Sequence, residues 1–381
     1  MISIRFSSVA AAIVALMLVW TPRPADALLV EVGDFVAEIE RLRDLTFTSG
    51  SNLYVAPTNQ ELADFNTLAS TLFSGNRVAA DAQAAALNYE LVQFTDNVTN
   101  NVYHGLREVL VGNQQTRGWG SYFINLGNDV DILVEAPHVR FDTRSWEIGA
   151  NAFRQANALG FLMNGAHRNA NGLGTADVAH LADSIFQEVH KAWNGVTGEN
   201  TAWSIHGFDD ANHNFPAGTD VVLSAGDGSI SPAVEALDQQ FTDAGFLSYA
   251  FNTLPANDPL NQQVNDGVDG TTFSSLGGTT NVQGAYSRGI GGDFVHIEME
   301  QSIRFDAGNR VLAGNAISEA MISLSSPGLL PLFVGALFMI LWRRTRLANY
   351  PPFFPPYLVA KYLCTWTSMM TGFIRSSSFN R

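Results

Sequence analysis

From residue 88 to residue 300, apolar runs of strand length alternate with segments of helical period, and that alternation restricts the chain to an α/β sheet with much parallel pairing. Asn88 to Phe94 and Asn101 to Val111 alternate like a strand pair around Thr95-Asp96-Asn97. Gly118 to Asn125, Ile132 to Val134, Leu159 to Met163, Ala202 to Ile205, Val221 to Ser224 and Phe294 to Glu300 read as further strands. Helices are expected over Val36 to Leu45, Gln60 to Phe73, Trp146 to Ala158, Asp177 to Trp193 and Ala233 to Ala244. The Gly-rich stretch Asp266 to Gly278 reads as a loop.

The two ends have a different composition. Arg5 supplies a positive flank, Val9 to Trp20 an apolar run and Ala25-Asp26-Ala27 a small-residue cleavage site, so residues 1–27 read as a secretory signal peptide with the mature chain starting near Leu28. A second apolar run, Gly328 to Trp342, precedes Arg343-Arg344-Thr345-Arg346. It is short for a span of about 20 residues, and the basic flank fits a membrane anchor with its arginines in the cytoplasm. A leader at the front and a proline turn, short apolar helix and arginine cluster at the back resemble the PEP-CTERM class of bacterial sorting signals. Here Ser325-Ser326-Pro327-Gly328 stands where that class carries Pro-Glu-Pro. The resemblance implies a sorting peptidase as a partner of segment 325–346 and a secreted or cell-envelope location. The proline-dense tail 347–381 has no assigned role.

No linker or charge block divides residues 28–320, so a single domain is expected there. The whole chain has a net charge of −15 with lysine almost absent, which argues against nucleic acid as a partner. Its one cysteine, Cys364, lies in the tail, so an apolar core rather than disulfides must hold the domain together.

Polar side chains stand at the ends of the apolar runs, where an open α/β sheet forms its ligand crevice. His138 follows the run Asp131 to Pro137, and His206 follows Thr201 to Ile205. Asp142 and Glu147 come next after His138, and either can complete a metal's ligand set, with Asp142 preferred by proximity. Each also has a plainer use, Asp142 as a helix N-cap and Glu147 against the helix dipole. Gly207 permits a sharp turn after His206, and His213 reads as a surface residue. Arg168 offers a planar fork for a substrate carboxylate, or for bridging two loops. His180 shares an expected helix face with Asp183 and Ser184 and is read as positioning the substrate. In the last strand His296, Glu298 and Glu300 point to one side. Two imidazoles, a carboxylate ligand and a further carboxylate that moves a proton are the parts of a hydrolytic zinc centre.

Ala136-Pro137-His138 with an acid shortly after it, Ser204-Ile205-His206-Gly207, and Val295 to Arg304 around Glu298 resemble the N-formylglutamate amidohydrolase and poly-γ-glutamate hydrolase group, relatives of the zinc carboxypeptidases. The resemblance spans residues 120–310. It implies a three-layer α/β sandwich around a mixed, largely parallel sheet. It also implies zinc on His138, His206 and a nearby acid, with Glu298 catalytic and Arg168, His180 and Arg304 on the substrate. The chain departs from the group in having Asp142 one residue beyond the relatives' glutamate, and in lacking their Gly-rich turn after the first histidine. The expected activity is exported, zinc-dependent hydrolysis of an amide bond in a small or peptide-like substrate of acyl-amino-acid, γ-glutamyl or peptidoglycan type. The competing expectation is a non-catalytic cell-surface or biofilm-matrix protein on the same scaffold.

Overall fold

The computed structural model describes residues 28–198 and 201–325. The expected signal peptide, the C-terminal apolar segment from residue 326 onward and the tail lie outside them. The strands are β1 (Leu29–Gly33), β2 (Tyr89–Asp96), β3 (Val102–Glu108), β4 (Ser121–Ile124), β5 (Val130–Ala136), β6 (Ala158–Met163), β7 (Thr201–Gly207), β8 (Val221–Ser224), β9 (Ser248–Ala250) and β10 (Phe294–Met299). They form one sheet in the order β1-β2-β3-β4-β6-β5-β7-β10-β8-β9. The central strands β6, β5, β7 and β10 are mutually parallel, as are the pairs β1/β2 and β8/β9; the remaining contacts are antiparallel. The sheet is therefore mixed and mostly parallel, as expected, and the carboxyl ends of its four central strands share one edge.

The helices are α1 (Phe35–Leu45), α2 (Asn59–Phe73), α3 (Arg77–Ala86), α4 (Ser145–Ala156), α5 (Ile185–Thr197), α6 (Pro232–Asp243), α7 (Pro259–Asn265), α8 (Val282–Gly289), α9 (Gln301–Phe305) and α10 (Ala307–Ser325). Among the described residues no helix is long and apolar enough to cross a membrane.

Successive side chains of a strand point to opposite faces, and the central strands are apolar on both. Val134, Trp203, Ile205, Val295 and Ile297 pack with Phe35 and Ile39 of α1, Trp146 of α4, Leu237 of α6 and Ile317 of α10. Leu133, Ala202 and Phe294 pack on the other face with Phe65 and Leu72 of α2, Ala80 of α3 and Val189 and Trp193 of α5. The result is three layers. On the second face the central strands also carry polar groups. One is buried Glu135, which meets His190 Nδ1 of α5 at 2.7 Å, while His190 Nε2 meets Ser287 Oγ of α8 at 3.1 Å. A smaller cluster of Phe208, Val222, Tyr249, Phe251, Phe273 and Leu276 fills the β8/β9 end.

Several elements differ from expectation. The helix expected from Asp177 begins at Ile185, because Ser184 is its N-cap and accepts from Gln187 N; His180 and Asp183 precede it in irregular backbone. Part of the expected loop at Asp266 to Gly278 winds into a 3-10 helix, Gly270–Leu276. Strand β10 stops at Met299, and Glu300 caps α9 instead of continuing the polar face.

Candidate metal centre

At the carboxyl end of β5 the chain turns tightly, with His138 O accepting from Phe141 N at 2.9 Å and Asp142 N at 2.8 Å. That turn brings the Asp142 carboxylate back onto the imidazole four residues before it. Arg144 then adopts a left-handed conformation at φ 72° and starts α4 without a side-chain cap, so Asp142 is not the helix N-cap. Asp142 Oδ2 lies 3.2 Å from His138 Nδ1 and 3.1 Å from His206 Nδ1, and all three residues are buried.

These distances test the site for a metal. Zinc bonds of about 2.0–2.2 Å in tetrahedral array put neighbouring ligand atoms roughly 3.3 Å apart. Both histidine-to-Asp142 contacts have that spacing, with the two imidazoles presenting Nδ1 to the same carboxylate oxygen, and all three donor atoms lie within 4.8 Å of one another. The outer nitrogens are engaged as metal-binding histidines require: His138 Nε2 meets Asp177 Oδ1 at 2.7 Å, and His206 Nε2 meets Ser204 Oγ at 3.0 Å. A carboxylate on Nε2 favours the tautomer that leaves the Nδ1 lone pair free. The residues present fit a bound divalent metal.

Asp177 was not among the expected residues. It sits within the long loop between β6 and α5, in which Asn164 Nδ2 donates to Ala166 O and Ala176 O, and it pairs with Arg168 as well as with both His138 and His180. Expecting a helix to start at Asp177 gave this acid a routine place in a first turn and hid its part in the site.

Glu298 on β10 lies directly across from His206 in the parallel register, and His296 lies across from Ser204. The His296 ring lies against His206, with centroids 4.4 Å apart and the planes tilted by 34°, and its Nε2 is 3.7 Å from Glu298 Oε1. Burial, reinforced by the Asp142 charge, pushes the Glu298 carboxyl well above the ordinary range. Burial likewise holds His296 well below the usual imidazole value. At His138 burial pulls down, but the Asp142 and Asp177 carboxylates outweigh it and raise the group to about 9. Burial works against ionised Asp142, yet His138 and His206 keep it below the normal range.

The other expected residues fall into two groups. Arg168 and His180 stand at the mouth of the site: Arg168 lies over the Phe141 ring at 5.0 Å, and His180 Nε2 meets Thr280 Oγ1 at 3.1 Å. Glu147 and Arg304 are spent on structure. Glu147 pairs with Arg144 at 2.8 Å and Arg310 at 2.9 Å, outside the histidine cluster. Arg304 donates to the carbonyls of Met299 at 2.9 Å, Thr143 at 2.9 Å and Phe208 at 2.7 Å, tying together the loops after β10, β5 and β7. This also explains Gly207, which is extended rather than sharply turned: a Cβ there would overlap the Arg304 guanidinium. His213, read as a surface residue, is half-buried and stacks on Phe215.

No protein-family model and no curated protein matches this chain. Among solved structures, a bacteriophage poly-gamma-glutamate hydrolase is 11% identical, with 50% of this chain and 82% of that chain covered at a TM-score of 0.28. A gene product of Agrobacterium tumefaciens is 12% identical over 52% of this chain and 92% of its own, TM-score 0.30. A candidate metallopeptidase from Shewanella denitrificans is 11% identical over 66% of this chain and 92% of its own, TM-score 0.34. All three are remote likenesses.

Proposed function

We propose that the chain is a metal-dependent hydrolase of amide bonds, exported from the cytoplasm, acting on an acyl-amino-acid, γ-glutamyl or peptidoglycan-type substrate. The observation that carries this reading is the His138–Asp142–His206 donor set with the Glu298 carboxyl across the strand pair from His206. When bound there, zinc supplies a Lewis acid and acidifies water to a pKa of about 7. Glu298 takes the proton that the attacking water loses as its oxygen bonds to the carbonyl carbon, and passes it to the nitrogen as the C–N bond breaks. To accept that proton Glu298 must be ionised; a cation held by His138, Asp142 and His206 would favour the carboxylate that burial alone disfavours, and burial then helps Glu298 hold the proton until it passes to nitrogen. Asp177 fixes the His138 ring, and Arg168 at the mouth offers its fork to a substrate carboxylate.

The test is hydrolysis of N-acyl-glutamate and γ-glutamyl peptides by the purified chain, before and after chelation. The reading predicts turnover that chelation abolishes and one equivalent of added zinc restores. Turnover that survives chelation contradicts it, and a zinc-loaded chain inert on every amide tried favours the non-catalytic alternative.

A further inference from the structure

We propose that His206, His296 and Glu298 form a second divalent-cation site, resting on the reading of His138, Asp142 and His206 as the first. The three side chains are buried, and each offers a ligand atom within 4.8 Å of the others. They come from adjacent parallel strands whose register sets Glu298 beside His206 and His296 beside Ser204, so their spacing is held by backbone hydrogen bonds rather than by a loop.

One observation points to a missing partner. His296 Nδ1 and Glu298 Oε2 are buried polar atoms without a hydrogen-bond partner, although such groups in folded proteins are nearly always satisfied. The surroundings also make room for the imidazole. Gly278, at φ 60°, packs so closely that a Cβ there would stand 2.7 Å from His296 Cγ, and Ser224 Oγ holds the preceding Gly277 carbonyl at 2.6 Å. A donor set of two imidazoles and one carboxylate suits zinc or a neighbouring transition metal better than magnesium or calcium, which prefer oxygen throughout.

The two sites share His206 through its opposite nitrogens. Nδ1 faces Asp142, while Nε2 lies 3.0 Å from the hydroxyl of Ser204, the residue across from His296 in the register. With both ions held the imidazole keeps no N–H, and its proton goes to solvent. Glu298 is then a ligand and cannot accept a proton, so the form with one ion is the one that hydrolyses.

The experiment is zinc titration of the chelator-stripped full-length chain by calorimetry, with metal content measured after dialysis. Two equivalents per chain are expected, falling to one in His296→Gln and, independently, to one in Asp142→Asn. One equivalent in the unaltered chain overturns the second site and leaves the first standing; none overturns both. Two equivalents that persist in His296→Gln place the second ion elsewhere and overturn the proposal. Should His296→Gln fail to fold, Glu298→Gln serves in its place: it too should hold one equivalent, and two would overturn the proposal.

Discussion

At the residue scale the account turns on which groups face His138 and His206. Replacing Glu298 by Gln keeps the shape and removes the proton acceptor, so kcat should fall about 100- to 10,000-fold while bound zinc at one equivalent persists. Asp177→Asn removes the charge that orients the His138 ring, and zinc affinity should weaken about 10–100-fold, read by competition with a chelating dye. Away from the site, burial raises Asp238 to about 7. Below about pH 4 this group is protonated both folded and unfolded; above that the unfolded chain ionises first, so stability is lost as pH rises toward 7 and the penalty is then constant. Asp238→Asn should therefore raise the melting temperature at pH 8 and give no gain at pH 4. The histidines and Asp142 were legible because strand ends deliver side chains to one crevice. Asp142 was preferred to Glu147 in sequence by proximity alone, since only the 138–142 turn decides which acid folds back onto the imidazole. Arg304 looked like a substrate group because the carbonyls that occupy it come from backbone remote in the chain.

At the element scale, amphipathic helices and the apolar strands from β2 to β8 and β10 were readable, whereas several other short elements were not. Strand β1, strand β9 and helices α7 and α8 carry too few residues for a period to show. Helix α10 is long, but its buried face is built from Ala313, Ala316, Ala320, Ile317 and Met321, a stripe too small-sided to stand out from its surroundings. The central strands hold the site rigidly because both their faces are packed. Trp203, fully buried beside His206 on the opposite face of β7, should cost about 3–5 kcal/mol when cut to alanine, measured by denaturant unfolding. Gly207→Ala forces the Arg304 staple to shift, and a loss of about 1–3 kcal/mol is expected in the same measurement.

At the scale of the whole molecule, alternating strands and helices fixed the class of fold, whereas strand order stayed hidden. Strand β10 lies between β7 and β8, and β6 precedes β5 across the sheet; long-range pairing of this kind leaves no local signature. Yet that order is what makes the site, because it seats Glu298 beside His206 from segments far apart in the chain. The proposed export is tested by intact-mass analysis of secreted material, which should show an N-terminus near Leu28; retention of Met1 would contradict the signal-peptide reading. The central claim, a metal on His138, Asp142 and His206, is tested most directly by anomalous diffraction at the zinc edge from crystals loaded with one equivalent. The account predicts a peak about 2.0–2.2 Å from His138 Nδ1, His206 Nδ1 and an Asp142 oxygen. A zinc peak elsewhere, with these three side chains still hydrogen-bonded only to one another, would contradict it.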